Sequence, residues 1–109
     1  MLTDGEINTL VARIASHLRP ERIIVFGSYA KGSATPHSDL DMLIVLDTPM
    51  AEEYRPQLVA PLIADHSVPI DAHVITPAEL AALSAVRYSF MDAAVRTGRV
   101  IYERRDCRS

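Results

Sequence analysis

The chain holds one cysteine, Cys107, so a disulfide framework and a thiolate metal site are both excluded. Its position in the terminal segment reads as a free, incidental thiol. No run of Lys or Arg is long enough to track nucleic acid, and the formal net charge is -3. No apolar segment approaches the length of a membrane span. Asp4 and Glu6 stand where a signal peptide would carry positive charge ahead of an apolar run. There are no internal repeats and no low-complexity segments. With 109 residues there is room for one core and little space for a second. Hydrophobic residues make up 49% and charged residues 23%, the balance of a soluble globular fold rather than a disordered chain. A reduced, cytoplasmic protein is the expectation.

What is present begins with Thr3-Asp4-Gly5-Glu6, the Ser/Thr-x-x-Glu form of a capping box. Ile7, Leu10, Val11, Ile14 and Leu18 follow at helical spacing, which predicts an amphipathic helix from about Asp4 to Leu18, ended by Pro20. Arg22 to Phe26 is a β-branched run closed by Gly27 and reads as a buried strand. A short helix is expected from Ser28 to near Gly32, then a polar loop from Ser33 to Ser38. Leu40 to Leu46 reads as a second strand. Thr48-Pro49 opens a third helical region to about His66, with Pro56 and Pro61 predicting a kink or two shorter helices. Val68 to Ile75 reads as a third strand, and Thr76-Pro77 as the N-cap and first position of a helix. Val86 to Thr97 continues helical, Gly98 ends it, and Arg99 to Glu103 is a closing strand. The sum is an α/β (α+β) fold, a small mixed β-sheet with helices packed over it. One domain is expected over residues 1–103, followed by a flexible basic tail at 104–109 that includes Arg104, Arg105 and Arg108.

The stretch from Gly27 to Asp41, GSYAKGSATPHSDLD, carries the chemistry. Gly27 and Gly32 have the spacing of a phosphate-binding P-loop, but Ser33 and Ala34 stand where Lys and Ser/Thr are required. A P-loop is therefore rejected. Asp39 and Asp41 lie two apart at the mouth of a strand, so both side chains project from one face about 7 Å apart along the backbone. Leu40 and Met42 point the other way, into the core. Asp71 sits in the next apolar strand between Ile70 and Ala72, where an acid costs energy unless something pairs with it. If that strand lies beside the second, three carboxylates converge. Two like charges near 5 Å repel by about 3 kcal/mol at an effective dielectric near 20. One carboxyl then takes up a proton, or a divalent cation neutralises the group. Oxygen donors alone select a hard ion such as Mg²⁺.

Gly27-Ser28, ten residues, then Asp39-Leu40-Asp41 resembles the signature of the DNA polymerase β-type nucleotidyltransferase superfamily. The short chain is similar to the minimal nucleotidyltransferases (MNT proteins), antitoxins encoded beside HEPN-domain toxins. The resemblance covers the chain from the first helix to the strand near Val100. It implies a polymerase β-like fold in which Gly27 lets the nucleotide approach and Ser28 donates to the triphosphate. It further implies that Asp39, Asp41 and Asp71 are the catalytic, metal-holding carboxylates for two Mg²⁺ ions, with pyrophosphate leaving by in-line displacement. Lys31 is either a triphosphate contact or a solvated helix lysine. His37 reads as a loop residue and Tyr29 as a packing, exposed or base-stacking one.

Larger members of that superfamily are similar in the nucleotide site and carry a second domain that grips the acceptor, and no such domain is expected within these 109 residues. By resemblance, a HEPN-domain toxin supplies the acceptor: AMP passes from ATP to a toxin tyrosine and silences it. Two alternatives stay open, a non-catalytic antitoxin acting by contact and a small-molecule nucleotidyltransferase working with a separate subunit. Tyr54 to Ile63, and the helix with Tyr88, Phe90 and Met91, are candidate docking faces as well as candidate core. No direct nucleic-acid or membrane contact is expected.

Overall fold

A computed structural model describes residues 3–35, 37–64, 69–84, 96 and 98–104. Helix α1 spans Asp4–Leu18. Its capping box forms as the sequence predicts: the Glu6 N–H donates to Thr3 Oγ1 at 3.1 Å, and the Thr3 N–H donates to Glu6 Oε1 at 3.0 Å. At the other end Arg19 turns into the left-handed region at φ 50° and its N–H closes on the Ala15 carbonyl. Leu10, Val11 and Ile14 are buried on one face.

Four strands follow: β1 (Arg22–Phe26), β2 (Leu40–Val45), β3 (Ile70–Ile75) and β4 (Arg99–Glu103). They form one mixed sheet in the order β3-β2-β1-β4. β1 pairs antiparallel with β2 and β4, whereas β2 and β3 run parallel. The two central strands are buried on both faces past their first residues, which is why they read as apolar runs rather than alternating ones. One face, with Val25, Leu40, Met42 and Ile44, packs under α1 and helix α3 (Pro56–Ile63). The other, with Ile24, Phe26, Leu43, Val45 and Ile75, packs against Leu80 of helix α4 (Pro77–Ser84).

Between β1 and β2 lies a four-residue helix, α2 (Ser28–Lys31), and then a self-bonded turn. In that turn the Thr35 N–H donates to Ser38 Oγ and the Ser38 N–H donates to the Thr35 carbonyl. The third helical region is shorter than expected. It opens as a 3₁₀ turn at Glu52–Tyr54 and becomes α3 at Pro56–Ile63. Pro56 takes the first helical position, where a missing N–H is harmless, and α3 ends two residues beyond Pro61. β3 starts at Ile70 rather than Val68, and residues 65–68 lie outside the described ones.

Helix α4 (Pro77–Ser84) has the expected Thr76 cap, and Glu79 completes a second capping box with it. The helix expected from Val86 to Thr97, with Tyr88, Phe90 and Met91, falls almost wholly outside the described residues. β4 closes the sheet as expected. Arg104, expected to begin a loose tail, is instead tied down: its N–H donates to the Glu21 carbonyl and its guanidinium to the Arg19 carbonyl. Residues 105–109 lie outside the described ones. Among the described residues, no helix is long and apolar enough to cross a membrane.

Candidate active site

β1 delivers the chain to Gly27 and β2 carries Asp41 opposite Phe26, so the turn after β1 and the head of β2 meet side by side. Gly27 adopts φ 74°, open to glycine and strained for other residues. A second reason for glycine is steric. A Cβ at this position would stand 2.5 Å from Asp41 Oδ2, nearer than any real contact allows. Position 27 is therefore empty because Asp41 fills the space. Ser28, half-buried, is the first residue of α2, and the Lys31 N–H closes the turn on the Gly27 carbonyl. Lys31 is exposed at the end of that turn.

The parallel register places Asp41 directly across from Asp71. Asp39 stands exposed just ahead of β2. The expectation that Asp71 pays a burial penalty is corrected by strand order: β3 is an edge strand among those described, and Asp71 leaves 58% of its side chain in solvent. The cost falls on Asp41 instead. Partial burial first, then the charges of Asp71 and Asp39, push its carboxyl above the ordinary aspartate range, with His73 partly offsetting them. The other two sequence-identified acids thus act on this one carboxyl.

Among the described residues, no three acid, imidazole or thiol groups stand close enough to form a ready-made metal cage. Mg²⁺ commonly binds through one or two carboxylates and takes its remaining ligands from phosphate and water. The donor set here is oxygen alone and carries excess negative charge around Asp41, so the residues fit such an ion. Of the remaining sequence candidates, His37 is an exposed loop residue. Tyr29 packs against the core on the face away from Asp41, beside Ile7, Val25 and Ile101.

Two features escaped sequence reasoning. His73 lies two residues past Asp71 on the same strand face, its Nε2 3.3 Å from Asp71 Oδ2. The period of two was the available signal. The second is Arg55, only 6% exposed, whose guanidinium meets Glu79 in two contacts of 2.6 and 3.1 Å. Its Nε also donates to the Met50 carbonyl at 2.9 Å. The paired guanidinium and the Thr76 N–H hold the Glu79 carboxyl down at about 2. Arg55 and Glu79, with His73, Ala72, Val74 and Leu83, line a cleft of about 470 Å³ beside β3.

A four-stranded mixed sheet with a Gly-Ser turn beside paired aspartates defines a nucleotidyltransferase-type arrangement, and comparison with known proteins agrees. The family described as Polymerase beta, Nucleotidyltransferase matches residues 8–106. A protein of Methanocaldococcus jannaschii, MJ0604, provisionally named a protein adenylyltransferase, is 33% identical over 96 residues, 88% of this chain and 90% of that one. Among solved structures, a provisionally named nucleotidyltransferase of Sulfolobus solfataricus superposes with a TM-score of 0.64 at 23% identity, covering 90% of this chain and 78% of that one. A toxin–antitoxin structure with AMP-PNP superposes at 0.59 and 17% identity, covering 88% and 73%. These two share the fold. The chain belongs to the polymerase β nucleotidyltransferase family and is an enzyme of that class.

Proposed function

We propose that the protein is an antitoxin of the minimal nucleotidyltransferase kind, transferring AMP from ATP to a tyrosine hydroxyl of a HEPN-type toxin in the cytoplasm. The observation that carries this reading is the in-register pairing of Asp41 with Asp71 beside the side-chain-free Gly27, in a chain of this family. The name of the Methanocaldococcus jannaschii relative supports a protein as acceptor, and the toxin–antitoxin neighbour supports a toxin.

Each residue has a part in the proposed reaction. Gly27 keeps the turn low enough for phosphate to pass over the backbone, and Ser28 offers its hydroxyl and backbone N–H to the triphosphate. Lys31 supplies a cation at the exposed end of the same turn. Asp39, Asp41 and Asp71 would hold two Mg²⁺ ions, which would supply charge neutralisation of the triphosphate and a lower proton affinity at the attacking hydroxyl. The tyrosine hydroxyl gives up its proton to solvent, its oxygen bonds to the α-phosphorus as the α–β phosphoanhydride bond breaks, and pyrophosphate departs with the electron pair.

The test is to incubate the protein with Mg²⁺, labelled ATP and a HEPN-type partner, then weigh the partner by mass spectrometry. An AMP-sized gain on a partner tyrosine, lost in Asp41→Ala, is the expected result. Toxin neutralisation that persists in the Asp39→Ala/Asp41→Ala variant would favour inhibition by contact and sink the catalytic reading.

A further inference from the structure

β3 runs along the edge of the sheet, and an exposed aspartate on such a strand ordinarily samples several rotamers. Asp71 has a neighbour that limits it. Strand alternation places His73 on the same face, with Nε2 3.3 Å from Asp71 Oδ2. The His73 ring is held in turn from the other side. Its centroid lies 6.3 Å from that of Phe26, with the rings inclined at 36°. In the sheet register His73 sits opposite Leu43, which is fully buried, so the imidazole extends over an apolar floor. Phe26 is itself the register partner of Asp41. The imidazole thus lies between the ring of Phe26, the register partner of Asp41, and the carboxylate of Asp71.

This contact is poorly placed to stabilise the fold. The side chains of His73 and Asp71 are 41% and 58% exposed, and ion pairs in that setting add little to stability. What it changes is where the carboxylate points. An Nε2–H exists in one neutral tautomer of the ring and in the imidazolium alike, so the contact needs no titration of His73.

We propose that His73 is a positioning residue that orients the Asp71 carboxylate toward Asp41 and a divalent cation held between them. The inference rests on Asp71 facing that cation, as in the function proposed above. Carboxylates that hold metals depend on such partners, and losing one typically weakens metal binding by about 10- to 100-fold.

The experiment titrates the protein with Mn²⁺ in place of Mg²⁺, without nucleotide, following bound ion by electron paramagnetic resonance. Wild type is compared with His73→Leu, His73→Gln and Asp71→Asn. His73→Leu, which keeps packing against Phe26, is expected to weaken Mn²⁺ binding by about 10- to 100-fold. His73→Gln, which returns an N–H donor near the Nε2 position, is expected to recover most of that loss. Metal-free melting temperatures should match, and kcat should fall in His73→Leu with little change in KM for ATP. Mn²⁺ binding that is normal in His73→Leu but lost in Asp71→Asn overturns the inference and leaves the metal role of Asp71 standing. Equal losses in His73→Gln and His73→Leu also overturn it, because packing alone would then explain both. Normal binding in Asp71→Asn removes the premise and the inference together.

Discussion

Asp41 and Glu79 are two carboxylates in one small domain, and their surroundings act on them in opposite directions. Glu79 meets a buried guanidinium through two contacts and a backbone N–H, and its proton affinity falls to about 2. Asp41 meets two other carboxylates and partial burial, and its proton affinity rises. The first charge is neutralised by the chain itself, so the Arg55–Glu79 corner holds the 3₁₀ turn, α3 and α4 together. The second is left for something outside the chain to neutralise. An acid with an unrelieved perturbation is a candidate for a functional site, and of these two it is Asp41 that qualifies.

Exchanging the two roles gives the largest expected contrast. Asp41→Asn should cut nucleotidyl transfer by more than about 100-fold, beyond the loss of an outer partner, while raising the melting temperature of the metal-free protein at neutral pH. Glu79→Gln should do the reverse. It should retain transfer chemistry but lower the melting temperature by about 5 °C, a modest figure because solvent reaches Glu79. Parallel activity assays and thermal melts check both. A melting temperature that falls in Asp41→Asn would contradict the repulsion assigned to this carboxyl.

The pH dependence separates the two more finely. The Glu79 carboxyl is lower in the folded state, about 2 against an ordinary 4.5, so its stabilisation is present above pH 4.5 and lost as pH falls toward 2. The Asp41 carboxyl is higher in the folded state than its ordinary 3.8. Stability linked to it is therefore full below pH 3.8 and declines as pH rises through the folded value. Denaturant melts across pH should show the gap between wild type and Glu79→Gln closing in acid from above. The gain in Asp41→Asn should vanish below pH 3.8. The smallest effect is expected at Lys31, exposed on a four-residue helix. Lys31→Ala should leave the melting temperature within about 3 °C of wild type, as an exposed surface change does, and raise KM for ATP several-fold.

Elements governed by neighbours in sequence were legible before any coordinates. Thr3 and Glu6 announce α1, Thr76 and Pro77 announce α4, and the apolar runs from Arg22 and Leu40 announce the two central strands. The acids of the site were legible as well, because spacing alone sets Asp39 and Asp41 at a strand mouth. Their energetics were not. That Asp71 is on an edge and Asp41 is the burdened carboxyl follows from strand order, a property of the whole sheet. The pairing of Arg55 with Glu79, 24 residues apart, left no local trace. The third helical region opens at Glu52 rather than at Thr48, and the division expected from its prolines is present as the 3₁₀ turn Glu52–Tyr54 followed by α3 from Pro56.

Gly27 and Gly32 share nearly the same φ, 74° and 73°, but their ψ values, -150° and 17°, set them in different backbone regions, and they answer to different constraints. Nothing lies within 4 Å of where a Cβ would sit on Gly32, so that position asks only for a residue at ease in the left-handed region, a role asparagine can fill. Gly27 is bound to the identity of a residue on another strand, since its missing Cβ is the room occupied by the Asp41 carboxylate. In a redesign of this domain, the glycine at 27 is therefore required twice over while Asp41 stays. Replacing Asp41 lifts the steric demand and leaves the positive φ, so position 41 can change before position 27 can.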